Sequence, residues 1–318
     1  MTGSQPHART TRAPRVALAV ATAALCSIAA LPAASGGATT DKRRCERDLA
    51  QLETRGCRVL FEDTAQAADP EPLWGSIDCE SRERQRRVER GGDPHATADG
   101  SPQGNDAYRE LSVRDGDDFF GERCELGHND HRDGPTAIFG EGDRRVTFAS
   151  YRLPQGYPLS SERWQVVMQI KQSAPSANSG GTPVLELEAK RDRWRLLQSR
   201  SPGRSSTSRE LWSAPAEIGA WTRFAFDVVF SKKKRKGRVR AYADLNGDGD
   251  AADGDERSPR FKTYTLKKET SGGGDDGIAP GKSIPSHLRA GIYHDAAIDC
   301  EAVTCRVDVD NVQVVNGR

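Results

Sequence analysis

Three short stretches of this 318-residue sequence carry side chains that suit a polar groove better than an apolar core. In GERCELGHNDH (121–131), Arg123 and Glu125 alternate onto one face of a strand, and His128 and His131 follow just beyond it. In VVMQIK (166–171), Gln169 and Lys171 share a face with Val167, and Met168 lies on the other. In HLRAGIYHD (287–295), the same alternation groups Arg289, Gly291 and Tyr293. Guanidinium, amide, ammonium and phenol are groups that hold an anion and move protons, and burying them without partners is costly. Three such strands predict a polar groove on the concave face of a sheet. Each has a plainer reading beside it. Arg123 and Glu125 could be halves of cross-strand ion pairs. Tyr293 could be a core-edge aromatic with a wet hydroxyl. His128 and His131 could be idle in a polar loop.

The elements that must position these residues are strands. From Tyr108 onward, short β-branched, aromatic and aliphatic runs recur between turn signals, among them YRELSV (108–113), RVTFASYRL (145–153), VLELEA (184–189) and RVDVDNVQVV (306–315). In TRFAFDVVF (222–230), Phe224, Phe226, Val228 and Phe230 share one face, as do Val239, Ala241, Ala243 and Leu245 in RVRAYADL (238–245). The pattern predicts an all-β sandwich or barrel. Ahead of it, residues 41–56 read as a short N-terminal helix, capped by Asp41 and ended by Gly56. Residues 63–107 are rich in Asp, Arg, Gly and Pro, and predict irregular structure with one strand near Leu73–Ile77.

The first residues predict secretion. Arg9, Arg12 and Arg15 precede an apolar run at 16–31, and small residues follow to Ala38, the order of a signal peptide. The run is shorter than the ~20 residues a membrane span needs. The expected organisation is a signal at 1–38, a helix and irregular segment at 39–107, and a sandwich at 108–318. Removing three signal arginines from 47 basic residues leaves 44 against 46 acidic, which argues against nucleic acid as the partner. Outside the signal, six cysteines remain: Cys45, Cys57, Cys79, Cys124, Cys300 and Cys305. An even count in a secreted chain predicts three disulfides. Short loops favour Cys45–Cys57 and Cys300–Cys305, which leaves Cys79–Cys124. No CxxC or HxxxH spacing supports zinc.

Residues 244–255 (DLNGDGDAADGD) place Asp244, Asn246, Asp248 and Asp255 at positions 1, 3, 5 and 12 of a calcium loop, with Asp250 among them and Gly249 at the turn. Ala251 at position 8 and the strands on either side depart from an EF-hand. The expected role of calcium here is structural, against a plain Asp/Gly-rich hairpin loop. The basic run SKKKRKG (231–237) reads as a solvated hairpin turn, with polyanion binding as its alternative.

The three groove strands together resemble jelly-roll polysaccharide lyases of the glucuronan lyase, heparin lyase I and alginate lyase groups. RCEL (123–126), QIK (169–171) and RAGIY (289–293) are similar to those families' Arg-x-Glu-Leu, Gln-Ile-His and Lys-x-Gly-x-Tyr strands. EGDRRVTFASYRLP (141–154) and VDVDNVQVV (307–315) resemble them too, so the likeness covers about residues 105–315. It implies a concanavalin A-like jelly-roll sandwich and cleavage of a uronic-acid polysaccharide by β-elimination. Such a site must neutralise the uronate carboxylate, take the C5 proton and protonate the leaving oxygen. Gln169 and Arg123 are expected at the carboxylate, with Glu125 and Arg289 binding substrate beside them. Tyr293 could be base or acid, aided by positive charge from Arg289 or Lys171. Lys171 stands where alginate lyases have His, and Arg289 where Lys is usual, so the base could instead come from His128 or His131. The expected partner is an acidic polysaccharide, and the protein is expected to act on it as a secreted monomer without membrane insertion.

Two rivals share the fold. A binding module would present aromatic platforms, for which Trp194, Trp212 and Trp221 are the candidates. A glycoside hydrolase needs two opposed carboxylates, for which Glu186 and Glu188 are the candidates.

Overall fold

The computed structural model describes residues 49–52, 58–94, 107–128, 137–173, 179–271 and 277–317. Two eight-stranded sheets carry the fold. With strands numbered along the chain, the first sheet runs β14 (Phe261–Lys262), β13 (Arg238–Asp244), β12 (Trp221–Val229), β7 (Arg144–Arg152), β16 (Arg306–Asn316), β4 (Tyr108–Ser112) and β3 (Gln85–Val88). Its eighth strand, β1 (Val59–Asp63), pairs with the C-terminal half of β16. The second sheet runs β11 (Ser208–Pro215), β10 (Arg193–Ser199), β9 (Leu185–Lys190), β8 (Gln165–Gln172), β15 (Ser286–His294), β5 (Arg123–Gly127) and β2 (Ser76–Cys79), with β6 (Ile138–Phe139) on β15. Every pairing of these strands is antiparallel. The molecule is a jelly-roll β-sandwich.

Period-two alternation builds the core between the sheets. Phe224, Phe226 and Val228 point inward from β12, and meet Trp194 and Leu196 of β10 and Leu185 and Leu187 of β9. Trp194 meets Phe224 edge-on, with ring centroids 5.2 Å apart. Burying each such side chain stabilises the fold by roughly 1.5–3 kcal/mol. A second, smaller cluster covers the outer face of the first sheet. There Val146, Phe148, Ala225, Tyr242 and Val315 pack with Leu49, Leu52 and Ala251.

The sandwich begins earlier than composition predicts. Residues 59–88 supply β1, β2 and β3, with a one-turn helix α1 (Glu71–Trp74) and a 3-10 turn (Arg82–Arg84) between them. Their charges are used rather than solvated. Buried Asp63 accepts both Nε and Nη2 of Arg109 at 2.8 and 2.9 Å, and Trp74 Nε1 at 2.6 Å. Pairing with established strands overrode a polar composition that, taken locally, favours loop. Of the expected helix 41–56, only residues 49–52 are described, and they form a turn. The expected signal segment 1–38, Cys45, Cys57 and His131 lie outside the described residues.

Candidate active site

The outward face of the second sheet lines a groove of about 950 Å³. Tyr293, Arg289, Arg123, Gln169 and Lys171 all line it. On β5 and β15 the register is even, with Arg123 opposite Tyr293 and Glu125 opposite Gly291. Farther across, the register slips. Arg289, Gln169 and Glu186 are level at one end of a row, and Tyr293, Val166 and Glu188 at the other. The same span takes four residue steps on β15, three on β8 and two on β9. Extra residues on one strand bend it and increase its twist, which fans the strands around the groove. The slip also corrects the expected facing of β8. Val166 lines the groove, while Val167 and Met168 both enter the core.

Glycine is required where β15 crosses β5. Gly291 has φ 149°, and a Cβ there would lie 2.2 Å from the Cys124 carbonyl oxygen. The Cys79–Cys124 disulfide ties β2 to β5 at the same level.

Glu125, fully buried, is the hub of the floor. One carboxylate oxygen accepts the Gln169 amide N–H. The other accepts Arg123 Nη1 at 3.3 Å and Arg289 Nη1 at 3.1 Å. Arg289 also reaches Asp78 at 2.5 Å, and donates from Nε to His287 Nε2 at 3.1 Å. His287 Nδ1 in turn lies 3.2 Å from Ser173 Oγ. Asp78, His287 and Ser173 escaped the sequence reading. Asp78 lay in the segment read as irregular, and only the alternation in SIDC hints at its strand.

Tyr293 stands at the groove wall. The Arg123 guanidinium stacks 3.7 Å from its ring centroid, and Arg123 Nη2 donates to the Phe120 carbonyl at 2.7 Å. Trp164 packs edge-on at 4.7 Å. Gly121 passes close enough that a Cβ would lie 3.3 Å from the phenol oxygen. Phe120, 84 % exposed, stands at the rim. The aromatic groups of the groove are therefore Tyr293, Trp164, Phe119 and Phe120. The expected platforms lie elsewhere: Trp194 and Trp212 are in the core, and Trp221 caps Arg152 on the other sheet.

Lys171 donates to the Gly181 carbonyl at 2.6 Å. Burial, helped by the charges of Arg289 and Arg123, lowers its pKa to about 8. Beyond it the groove becomes acidic. Glu188 accepts Arg195 Nη1 at 2.7 Å, and Glu210 accepts Arg195 Nε at 2.7 Å. Glu186 bonds to the Ser208 hydroxyl, and burial with the nearby Glu188 charge pushes its carboxyl up to about 7. Glu186 and Glu188 project from one strand onto one wall, rather than facing each other across the groove as a hydrolase pair would.

The remaining expected residues sit apart from this groove. His128 is wholly buried between Phe61 and Trp74, with ring centroids 4.6 and 5.0 Å away, and burial lowers its pKa to about 4. In the acidic loop, Asp244 accepts the backbone N–H groups of Gly247 and Gly249 at 2.7 and 2.9 Å. Asp248 and Asp250 accept loop amides or Asn246 in the same way, while Asp255 is exposed. Glu256, not Asp255, turns back to hold Leu245 and Asp253. Among the described residues, the acidic and sulfur groups that converge within 4.8 Å lie around Cys300 instead, whose sulfur is bonded to Cys305.

The groove thus carries a phenol, an amide and three cations on one side and carboxylates on the other. The sequence profile of the polysaccharide lyase family matches residues 74–310, and the chain belongs to that family. It is an enzyme, a polysaccharide lyase. Among solved structures, it is similar in fold to the endo-beta-1,4-glucuronan lyase of the fungus Trichoderma reesei, with TM-score 0.51 and 15% identity, over 81% of this chain and 95% of that one. It is also similar to the marine PL-14 alginate lyase of Aplysia kurodai, with TM-score 0.50 and 10% identity, over 81% and 99% of the two chains. A search of curated sequences finds no match.

Proposed function

We propose that the protein is a secreted lyase that cleaves a uronic-acid polysaccharide by β-elimination. Tyr293, acting as the phenolate, takes the C5 proton and becomes the phenol, and Gln169 and Arg123 hold the carboxylate that becomes an enolate. The observation that supports this most is the joining of Arg123, Gln169 and Arg289 through one buried carboxylate, Glu125, beside an accessible phenol. The C5 proton is weakly acidic while the neighbouring carboxylate is charged. Fixed donors aimed at that carboxylate stabilise the charge that develops there. Arg123 and Gln169 each have further N–H groups beyond those given to Glu125. As the C5–H bond breaks, its electron pair forms the C4–C5 double bond. The C4–O bond then breaks, and the departing oxygen must receive a proton. Arg289, held by Asp78 and Glu125, braces the floor and adds positive charge. Lys171 attracts the acidic chain at the far end of the row.

Secretion accords with the basic–apolar–small order of residues 1–38 and with two disulfides, which persist in oxidising compartments. No helix among the described residues is long and apolar enough to cross a membrane.

The test is a panel of uronic-acid polysaccharides, glucuronan and alginate included, followed by the ultraviolet absorbance of a 4,5-unsaturated uronate. Wild type should generate that absorbance. Tyr293→Phe should reduce the rate by roughly 10²–10⁴-fold, the usual worth of a positioned proton-transfer group. Gln169→Ala should also lose it. A folded protein that is retained by a polysaccharide but produces no absorbance on any uronan would leave a binding module in place of this reading.

A further inference from the structure

One apolar side chain stands out into water at the mouth of the groove. Phe120 is 84% exposed, where the next most exposed large apolar side chain among the described residues, Val59, is 42%. We propose that Phe120 is a sugar-binding platform, on which a pyranose ring of the bound polysaccharide stacks by its C–H face. The proposal rests on the reading of this groove as the site of an acidic polysaccharide.

Three observations carry it. The first is position. Phe120 lines the groove, and its carbonyl accepts Arg123 Nη2 at 2.7 Å. That same guanidinium stacks 3.7 Å from the Tyr293 ring centroid, and Gly121, the next residue, runs against the Tyr293 ring. The exposed ring is thus beside the phenol rather than on a remote surface. The second is the backbone. Phe120 has φ 54°, in the left-handed region that a bulky side chain adopts only at a cost. The fold keeps a large ring where glycine or asparagine would sit more easily, and strain of this kind collects at ligand clamps. The third is anchorage. Between β4 and β5, Asp117 accepts Arg84 Nε and Nη2 at 2.6 and 2.7 Å, and the Arg114 N–H at 2.9 Å. Asp118 accepts the Gly121 N–H at 2.9 Å, and the Glu122 carbonyl accepts the His294 N–H at 3.1 Å. Phe119 braces the ring edge-on, with centroids 5.4 Å apart. A ring fixed before the ligand arrives loses little freedom on binding.

The chemistry selects the occupant. A pyranose with equatorial substituents turns axial C–H bonds to one face. That face is apolar and weakly positive, and it suits the negative face of an aromatic ring. Arg123, Arg289 and Lys171 line the same groove. They take carboxylates at the edges of the sugar rings, and Phe120 takes a flat face. An acidic sugar chain offers both features, and an apolar peptide only one.

The experiment measures binding by calorimetry, with hexasaccharides of glucuronan and of alginate. The parent is Tyr293→Phe, so that the ligand survives. Adding Phe120→Ala should weaken the tighter of the two by roughly 3–10-fold, about what covering one face of an aromatic ring contributes. Phe120→Trp should hold or tighten it, and Phe120→Leu, which lacks a flat ring, should fall with alanine. Phe120→Asn, at ease at positive φ, should bind as weakly as alanine yet melt no lower than the parent, which separates a lost platform from a damaged loop. Parental affinity in Phe120→Ala overturns the proposal. So does full recovery by leucine, or a parent that binds neither hexasaccharide. A change of oligomeric state in light scattering, with Kd unchanged, assigns Phe120 to a contact between copies of the chain instead. If wild type forms no unsaturated uronate but Phe120→Ala still binds less, the β-elimination reading falls and the platform stands.

Discussion

The two walls of the groove solve the burial of charge in opposite ways. On the Tyr293 wall, Arg123 and Arg289 converge on one carboxylate, Glu125, which also accepts the Gln169 amide. Two guanidiniums share that acceptor, with Asp78 taking a further bond from Arg289, and the Arg123 Nε–H remains for a ligand. On the far wall the ratio is reversed: one cation, Arg195, serves two carboxylates, Glu188 and Glu210, and Glu186 is left to hold its own proton. The lesson concerns which charges are available. A shared acceptor leaves a donor to spare for an anion, whereas a shared cation leaves a buried carboxyl whose pKa is raised to about 7.

The largest expected effect comes from removing the hub on the cationic wall. Glu125→Ala deprives Arg123, Arg289 and Gln169 of their common acceptor, and leaves charge buried without its counterion. Removing one partner of a buried pair costs about 3–5 kcal/mol. Chemical denaturation should show that loss, and activity should fall with it because all three side chains lose their direction. If Glu125→Ala keeps wild-type stability, Asp78 alone suffices to hold Arg289, and the contrast between the walls is weaker than the geometry implies.

How much of this wall is legible without coordinates depends on strand regularity. Arg123, Glu125, Arg289, Gly291 and Tyr293 come from β5 and β15, whose mutual register is even, so alternation places them correctly. On β8 alternation failed at one position. The slip between Val166 and Met168 puts Val167 in the core, and an irregularity of one residue leaves no trace in a hydrophobic pattern. Asp78 was missed because the strand expected near Leu73–Ile77 stops one residue short of it, whereas the strand formed by pairing with β5 runs Ser76–Cys79. The pairing of Glu186 with Gln169 is a fact of sheet order, since nothing in the sequence fixes β9 beside β8. Trp194 and Trp212 looked like platforms, but they occupy the alternate face that fills the sandwich.

The next effect distinguishes the walls by pH. Lys171 has a folded pKa of about 8, below its ordinary 10.5. The fold therefore opposes its charge, and the penalty grows as pH falls from 10.5 and is complete below about 8. Glu186 is raised from 4.5 to about 7, so its penalty grows as pH rises from 4.5 and is complete above about 7. Each shift corresponds to roughly 3 kcal/mol at most, by linkage. Glu186→Gln should therefore raise Tm at pH 8 and change it little at pH 4. Lys171→Met should gain at pH 6 relative to pH 10, less about 1 kcal/mol for the lost bond to Gly181. Melting curves across pH 4–10 check both signs. Parallel pH profiles for the two variants would mean that the groups titrate as one unit rather than as two opposed walls.

The smallest effect belongs to the shared cation of the acidic wall. Arg195 is partly exposed, and its bond to the exposed Glu210 is expected to stabilise the fold by no more than about 1 kcal/mol. Its removal acts mainly on charge. In Arg195→Gln, Glu188 and Glu210 lose their counterion and that end of the groove becomes more negative. An acidic polysaccharide should then bind more weakly, with KM raised about 2–5-fold and kcat nearly unchanged, since no group proposed to touch C4 or C5 has moved. Salt should reduce the difference, because screening weakens the repulsion from the exposed Glu210. If kcat falls instead and salt has no effect, Arg195 belongs with the cations that hold the reacting sugar, and the acidic wall is part of the carboxylate site rather than its opposite.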